Sequence, residues 1–259
     1  MKLTILGSGT YQPEKDRVGS GYLIETGKSK ICFDFGRGVI NRLLEVGVHV
    51  NQIDAIFISH WHIDHIADIA PLIHITIAAP ADLATDWIPR KSPLKIYGPK
   101  GTIEKVQALK EIGLLGHKEA PEMEVFELKA GDEIQEKDWK VKVFDAVHNP
   151  NSYPLAYRLE SEDKIFAYSG DTTVCDGLKA AVQNADLAVI EAGWQEEVDS
   201  KTHMTGSKTA KLAQESGVKK LVMTHIAPYY LKNFDPKKDA EKYFKGEVIL
   251  ARDLLKIKI

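Results

Sequence analysis

Most of the features that would place a chain in a specialised class are scarce in these 259 residues. There are two cysteines, Cys32 and Cys175, far apart in the chain, a pattern that speaks against the disulfide framework of small secreted domains. No stretch approaches the roughly 20 apolar residues of a membrane span. The apolar run in Met1-Lys2-Leu3-Thr4-Ile5-Leu6-Gly7 is too short for a signal peptide. Positive charge is not in excess either: 34 Lys and Arg stand against 37 Asp and Glu, a net charge of −3. A nucleic-acid partner would therefore need a local basic patch, and the pairs Lys219-Lys220 and Lys237-Lys238 read as solvated faces. Linkers of low complexity and shifts of composition are missing as well. The expectation is one domain over residues 1–259, soluble and cytoplasmic, with no membrane partner.

What is present is concentrated in one place. His60-Trp61-His62-Ile63-Asp64-His65 packs three imidazoles and a carboxylate into six residues, directly after the apolar run Ala55-Ile56-Phe57-Ile58-Ser59. Imidazole and carboxylate together suit zinc and its borderline neighbours iron, manganese and cobalt. Four such groups exceed what one three-ligand catalytic ion takes from so short a segment, so two ions are implied. Side chains repeat every second residue in extended chain, which turns His60 and His62 the same way. Asp64 and His65 fall where strand gives way to helix and can face a second ion. The zincin pattern, two histidines one turn apart on a helix, is a different arrangement.

The rest of the chain alternates strands and helices. Strands are expected over 3–6, 21–25, 30–35, 53–59 and 94–97, with helices over 39–46, 66–79 (stopped by Pro80) and 102–112. In the second half, strands over 125–128 and 139–146 flank the polar turn Gly131-Asp132, and 155–159 pairs with 164–168. Helices over 175–184, 205–216 and 236–244 then alternate with strands over 187–191, 220–224, 247–250 and 254–259. Two halves that each run from strands into helices predict an α/β fold of two sheets packed face to face with helices outside.

The remaining histidines sort by position. His148 follows the strand over 139–146, Asp171 lies in Ser169-Gly170-Asp171-Thr172 after the strand over 164–168, and His225 follows Leu221-Val222-Met223-Thr224. With His60 that makes four candidate ligands at the carboxyl ends of strands, where α/β sheets place their sites. His49 and His117 read as exposed loop residues, and His74 as a partly buried helix residue.

Taken together these residues resemble the metallo-β-lactamase-fold hydrolases. The resemblance covers nearly the whole chain and implies a four-layer αββα sandwich. It also implies roles. The counterparts of His60, His62 and His148 hold one metal in that family, those of Asp64, His65 and His225 hold the other, and that of Asp171 bridges them. Two divalent ions follow as cofactors, zinc first, with manganese or iron as alternatives. An aspartate at 171, where the best-known β-lactamases put a cysteine, looks like the broader hydrolase group. Members are often homodimers, though no interface signal is visible here.

Two ions about 3.5–4 Å apart lower the pKa of a shared water toward ~7, which makes hydroxide available for attack on phosphorus or carbonyl carbon. Asp64 can bind metal and orient that nucleophile through its second oxygen. What the seven ligands lack is a proton donor for the leaving group. His203, in Thr202-His203-Met204-Thr205 before a helix that Thr205 can cap, fills that gap; a structural histidine at a helix start is the plainer reading. The segment His203-Met204-Thr205 followed by Ala210 resembles the histidine motif of the ribonuclease Z branch, where this histidine stabilises the leaving group. Ribonuclease Z enzymes that mature transfer RNA carry a clamping arm between the positions of His148 and Asp171, and here one hairpin uses up that stretch. The sequence therefore favours a metal-dependent phosphodiesterase acting on a small cyclic nucleotide or cyclic sugar phosphate. Alternatives are tRNA 3′ processing without an arm, carbonyl or thioester hydrolysis by the same ions, and a non-enzymatic scaffold, which would be expected to lose ligands. The stretch 81–92, with Trp87 and Pro89, is either a lid or a plain connection.

Overall fold

The computed structural model describes residues 1–78, 88, 90–114, 123–149, 151–198 and 200–259. Pro80, His117 and Pro150, and residues 81–87 and 89 of the candidate lid over 81–92, lie outside them. The first half of the chain supplies β1 (Lys2–Gly7), β2 (Gly21–Glu25), β3 (Lys30–Phe33), α1 (Val39–Glu45), β4 (Ala55–Phe57), α2 (Ile63–Ile66), α3 (Ile69–Ala78), β5 (Leu94–Gly98), α4 (Thr102–Leu114) and β6 (Met123–Glu127). The second supplies β7 (Glu133–Gln135), β8 (Lys140–Asp145), β9 (Leu155–Ser161), β10 (Lys164–Tyr168), α5 (Asp176–Val182), β11 (Leu187–Glu191), α6 (Gly206–Glu215), β12 (Lys220–Thr224), α7 (Pro228–Asn233), α8 (Pro236–Glu241), β13 (Glu247–Leu250) and β14 (Lys256–Lys258).

Two seven-stranded sheets result, in the orders β14-β1-β2-β3-β4-β5-β6 and β13-β12-β11-β10-β9-β8-β7. In each, one side is antiparallel and the other parallel; β3 to β6 and β10 to β13 are the parallel runs. Strands in parallel runs are buried on both faces and read as continuous apolar segments, as Ala55-Ile56-Phe57 and Leu187-Ala188-Val189-Ile190 do. Between the sheets lies an aromatic-rich core in which the Phe33 ring meets those of Phe57, Tyr157 and Phe166, and Phe57 meets Tyr157. The outer faces are covered by α1 and α3 on the first sheet and by α5, α6 and α8 on the second. This is the expected αββα sandwich, and it gathers the carboxyl ends of β3, β4, β8, β10, β11 and β12 along one rim.

Three local expectations are corrected. The helix expected over 66–79 is broken after Ala67, because the Asp68 amide donates to Phe35 O (3.1 Å) rather than continuing the turn. The break puts Pro71 in the first turn of α3, where its missing N–H costs nothing. At Gly131-Asp132 the chain passes from one sheet to the other: β6 closes the first sheet, and the short β7 pairs with β8 in the second. His49 is half-buried, and its Nδ1 caps a single 3₁₀ turn by accepting from the Asn51 amide (3.1 Å). His74 is exposed on α3. No helix among the described residues is long and apolar enough to cross a membrane.

Candidate metal centre

All seven sequence-derived ligand candidates meet at that rim. His60 follows β4, and His62 is the extended N-cap residue of α2, whose first turn carries Asp64 and His65. His148 follows β8, Asp171 follows β10, and His225 follows β12 in the left-handed region (φ 52°). A non-glycine residue held there stores strain that clusters at functional sites. Ligand-capable atoms of His60, His62, His148 and Asp171 lie within 4.8 Å of one another, as do those of Asp64, His65 and His225. Asp171 stands between the two groups. Its Oδ2 is 3.8 Å from His60 Nε2 and 3.9 Å from His148 Nε2; its Oδ1 is 3.4 Å from His65 Nε2 and 3.5 Å from His225 Nδ1.

Hydrogen bonding shows which atoms are reserved. Ser59 Oγ donates to Asp34 Oδ2 (2.8 Å), so it accepts from His60 Nδ1 (3.0 Å). His65 Nδ1 donates to Asp34 Oδ2 (2.7 Å), and His148 Nδ1 to the Thr202 carbonyl (3.0 Å). Each of these rings is fixed through one nitrogen and presents the other to the cluster, the arrangement in which histidines bind metal. His148 Nε2 stands 3.2 Å from His62 Nδ1, while His60 Nε2, His65 Nε2, His225 Nδ1 and Asp171 Oδ1 are buried with no hydrogen-bond partner. Buried polar atoms are rarely left so, and four converging on one point fit a pair of divalent cations.

The charges agree. Burial, and then the charge of His65, hold His60 well below the ordinary imidazole value, in the neutral ligand form. Burial opposes charge on Asp171, yet His225 and His65 keep its carboxyl well below the usual carboxylate range. For His65 burial again opposes the charge, but the Asp171 and Asp34 carboxylates push it well above its ordinary value. An ion must displace that proton. Loading of the ion-free protein at pH 7 is therefore expected to release protons, and the binding heat should differ between buffers of different ionisation enthalpy. Identical heats would contradict the assignment of His65.

Two buried carboxylates were not anticipated. Asp34 follows β3 with φ 57° and accepts from the Ser59 amide (2.7 Å) and hydroxyl, from His65 Nδ1 and from Tyr168 OH (2.5 Å). It orients one ligand directly and a second through Ser59. Asp34→Asn is expected to weaken metal binding roughly 10–100-fold, the usual effect of losing such a support, in competition with a chromogenic chelator. Unchanged affinity would count against that role. Glu191, fully buried at the end of β11, accepts from the amides of Thr172 (2.8 Å) and Gly193 (3.1 Å) and from His203 Nδ1 (2.9 Å). Neither acid has a local signature, since each sits in an apolar strand sequence.

His203 lies where the sequence put it, just before α6, whose N-cap Thr205 accepts from the Lys208 amide (3.3 Å). Its ring is 4.7 Å from that of His148 and 6.0 Å from that of His225, nearly parallel to the latter. Burial works against its charge, but the Glu191 carboxylate raises its pKa to about 8. Backbone geometry also holds Asp64. The Ser20 amide donates to Asp64 O (3.0 Å), and glycine at 36 is required, because a Cβ there would stand 2.0 Å from that oxygen. A cavity of about 520 Å³ opens over the cluster, lined by His62, Asp64, His148, Asp171, His203 and His225.

The beta-lactamase superfamily domain matches residues 23–226. Ribonuclease Z of Mycobacterium bovis is 30% identical over 253 residues, with 88% of this chain and 86% of the relative covered. Ribonuclease Z of Methanosarcina acetivorans is 28% identical over 311 positions, with 100% and 98% covered. Among solved structures, the metallo-beta-lactamase fold protein YhfI from Bacillus subtilis superposes with a TM-score of 0.83 at 25% identity, covering 99% of both chains. The short form of human tRNase Z superposes at 0.79 with 24% identity, covering 100% and 99%. With a buried cluster suited to two divalent ions at the sheet rim, these matches place the chain: it belongs to the metallo-β-lactamase-fold family of metal-dependent hydrolases, in its ribonuclease Z-like branch.

Proposed function

We propose that the protein is an endoribonuclease of the ribonuclease Z type, cutting a phosphodiester at the 3′ end of transfer RNA in the cytoplasm. The observation that carries this reading is the His203–Glu191 pair beside the metal cluster. Hydrolysis of an ester or thioester with a good leaving group has no need of a dedicated proton donor, whereas the ribose oxygen leaving a phosphodiester does. The curated relatives named ribonuclease Z support the same reading over the small phosphodiester that the sequence favoured.

His60, His62 and His148 would hold one ion, Asp64, His65 and His225 the other, and Asp171 both. Two such ions supply Lewis acidity at the phosphoryl oxygens and a water of lowered pKa. Asp64, with its carboxylate at the cavity wall, orients the attacking water. Glu191 engages His203 Nδ1, so Nε2 is the atom that delivers a proton to the leaving oxygen. The rings of His148 and His225 flank that of His203 at the cavity wall.

A small cyclic phosphodiester is the second reading, and one feature of this chain supports it. Between His148 and Asp171 the described residues form a short turn and the β9–β10 hairpin, with no projecting arm. The 311-position alignment with the Methanosarcina acetivorans protein holds all 259 residues of this chain, so that relative carries segments lacking here. The test is incubation of the zinc- or manganese-loaded protein with a precursor tRNA bearing a 3′ trailer. Release of the trailer is expected. An intact precursor together with turnover of cyclic nucleotides would move the assignment to the second reading.

A further inference from the structure

The rim of the cavity carries side chains that neither metal binding nor proton transfer uses. Tyr11, from the turn after β1, is 69% exposed; Ile63, in the first turn of α2, 71%; and Tyr229, on α7, 60%. Trp194, after β11, completes the set, its ring 5.9 Å from that of His203. Single exposed apolar side chains are ordinary. Three aromatic rings and an isoleucine from four separate segments, all lining one cavity beside a reactive centre, mark a binding surface. Charge points to its ligand. Arg37 is the one lysine or arginine among the described residues that line the cavity, so the wall cannot track a duplex backbone, which depends on clustered cations.

The loops that carry these rings are anchored by hydrogen bonds close to them in sequence. The turn carrying Tyr11 is tied down by Asp253, whose Oδ1 accepts from the Ser8 amide (2.9 Å) and hydroxyl (2.8 Å), and by the Gly9 amide donating to Val18 O (2.8 Å). Tyr229 sits next to fully buried Tyr230, whose hydroxyl reaches Asp239 (3.3 Å) and Glu196 (3.4 Å). The Trp194 amide donates to Met204 O (3.1 Å), and the Ala227 amide to Gly193 O (3.1 Å). The same loops thus fix the rings, His203 and His225.

We propose that Tyr11, Trp194 and Tyr229 form a stacking platform for one unpaired nucleobase next to the scissile phosphate, with Arg37 meeting a neighbouring phosphate. The platform rests on the phosphodiesterase reading and narrows its substrates to single-stranded nucleotides. Aromatic rings take any base by its π-face, and protein–RNA recognition of splayed single strands uses the same contact.

The experiment is calorimetric titration of the metal-loaded protein with adenosine 5′-monophosphate and with ribose 5-phosphate, which differ only in the base. Adenosine monophosphate is expected to bind roughly tenfold tighter or better, the scale of one base stacked on an aromatic ring. In Tyr11→Ala/Tyr229→Ala, whose exposed sites leave the core intact, the ratio should fall to within about twofold, and Tyr11→Phe/Tyr229→Phe should restore it. Equal binding of the two probes by the parent protein, or a preference that survives the double alanine change, overturns the platform. Base preference in a protein that releases no trailer from precursor tRNA would support the platform and overturn the tRNA reading; trailer release without base preference would do the reverse.

Discussion

Asp171→Ala is expected to hold neither ion and to lose hydrolytic activity by a factor on the order of 10³ or more, beyond the 10²–10³ that follows loss of one oxyanion-hole donor. The reason is positional. One carboxylate serves both donor sets, Oδ2 toward His60 and His148 and Oδ1 toward His65 and His225. Removing it takes a ligand from each set, and it also removes the negative charge that lets two dications sit close together. His62→Ala makes the contrast. It takes one donor from the first set and leaves Asp64, His65, His225 and Asp171 intact, so the metal content should fall from two equivalents to one. Elemental analysis of both variants after dialysis checks the pair. Two equivalents retained in Asp171→Ala would refute the bridging assignment.

His203→Ala is expected to keep both equivalents of metal, because the His203 ring is fixed by Glu191 and stands outside the seven residues that make up the two donor sets. The loss should appear in kcat and depend on the leaving group. Substrates with an alkoxide-like leaving oxygen should slow by about 10²–10⁴-fold, the range of general acid catalysis. Substrates that release p-nitrophenolate, which departs without a proton, should slow far less. Glu191→Gln keeps the hydrogen-bonding shape but removes the charge that raises the His203 pKa, and should give a milder version of the same pattern. An equal loss across leaving groups in His203→Ala would show the ring to be a structural or binding element.

What could be read from the sequence followed from locality. His60, His62, Asp64 and His65 are legible because they fall within six residues after a strand, with the backbone extended at His62 and helical from Ile63. His148, Asp171 and His225 stand out as candidates because each follows an apolar strand, a place that needs no knowledge of pairing, and the structure brings them to the same cluster. Asp34 and Glu191 could not be found that way. Phe33-Asp34-Phe35 and Ile190-Glu191-Ala192 look like strand ends with one stray charge, and their value lies in donors brought from Ser59, His65, Tyr168, Thr172 and His203 by the sheet packing. The partner of β6 was not legible for a related reason. A polar Gly-Asp turn signals a reversal, but it cannot say whether the chain returns to the same sheet or crosses to the other. The substrate was least legible, because it is set by the rim, where Tyr11, Trp194 and Tyr229 arrive from segments more than 180 residues apart at their extremes.

The central claim is that two divalent ions on this donor set hydrolyse phosphodiesters. The most direct measurement is turnover of bis(p-nitrophenyl) phosphate by protein assayed for metal in the same sample. Protein holding two equivalents of zinc or manganese is predicted to turn it over, to lose activity in step with metal removed by a chelator, and to regain it when metal is restored. A protein that holds two equivalents, leaves the phosphodiester untouched and hydrolyses a thioester or lactone would contradict the account.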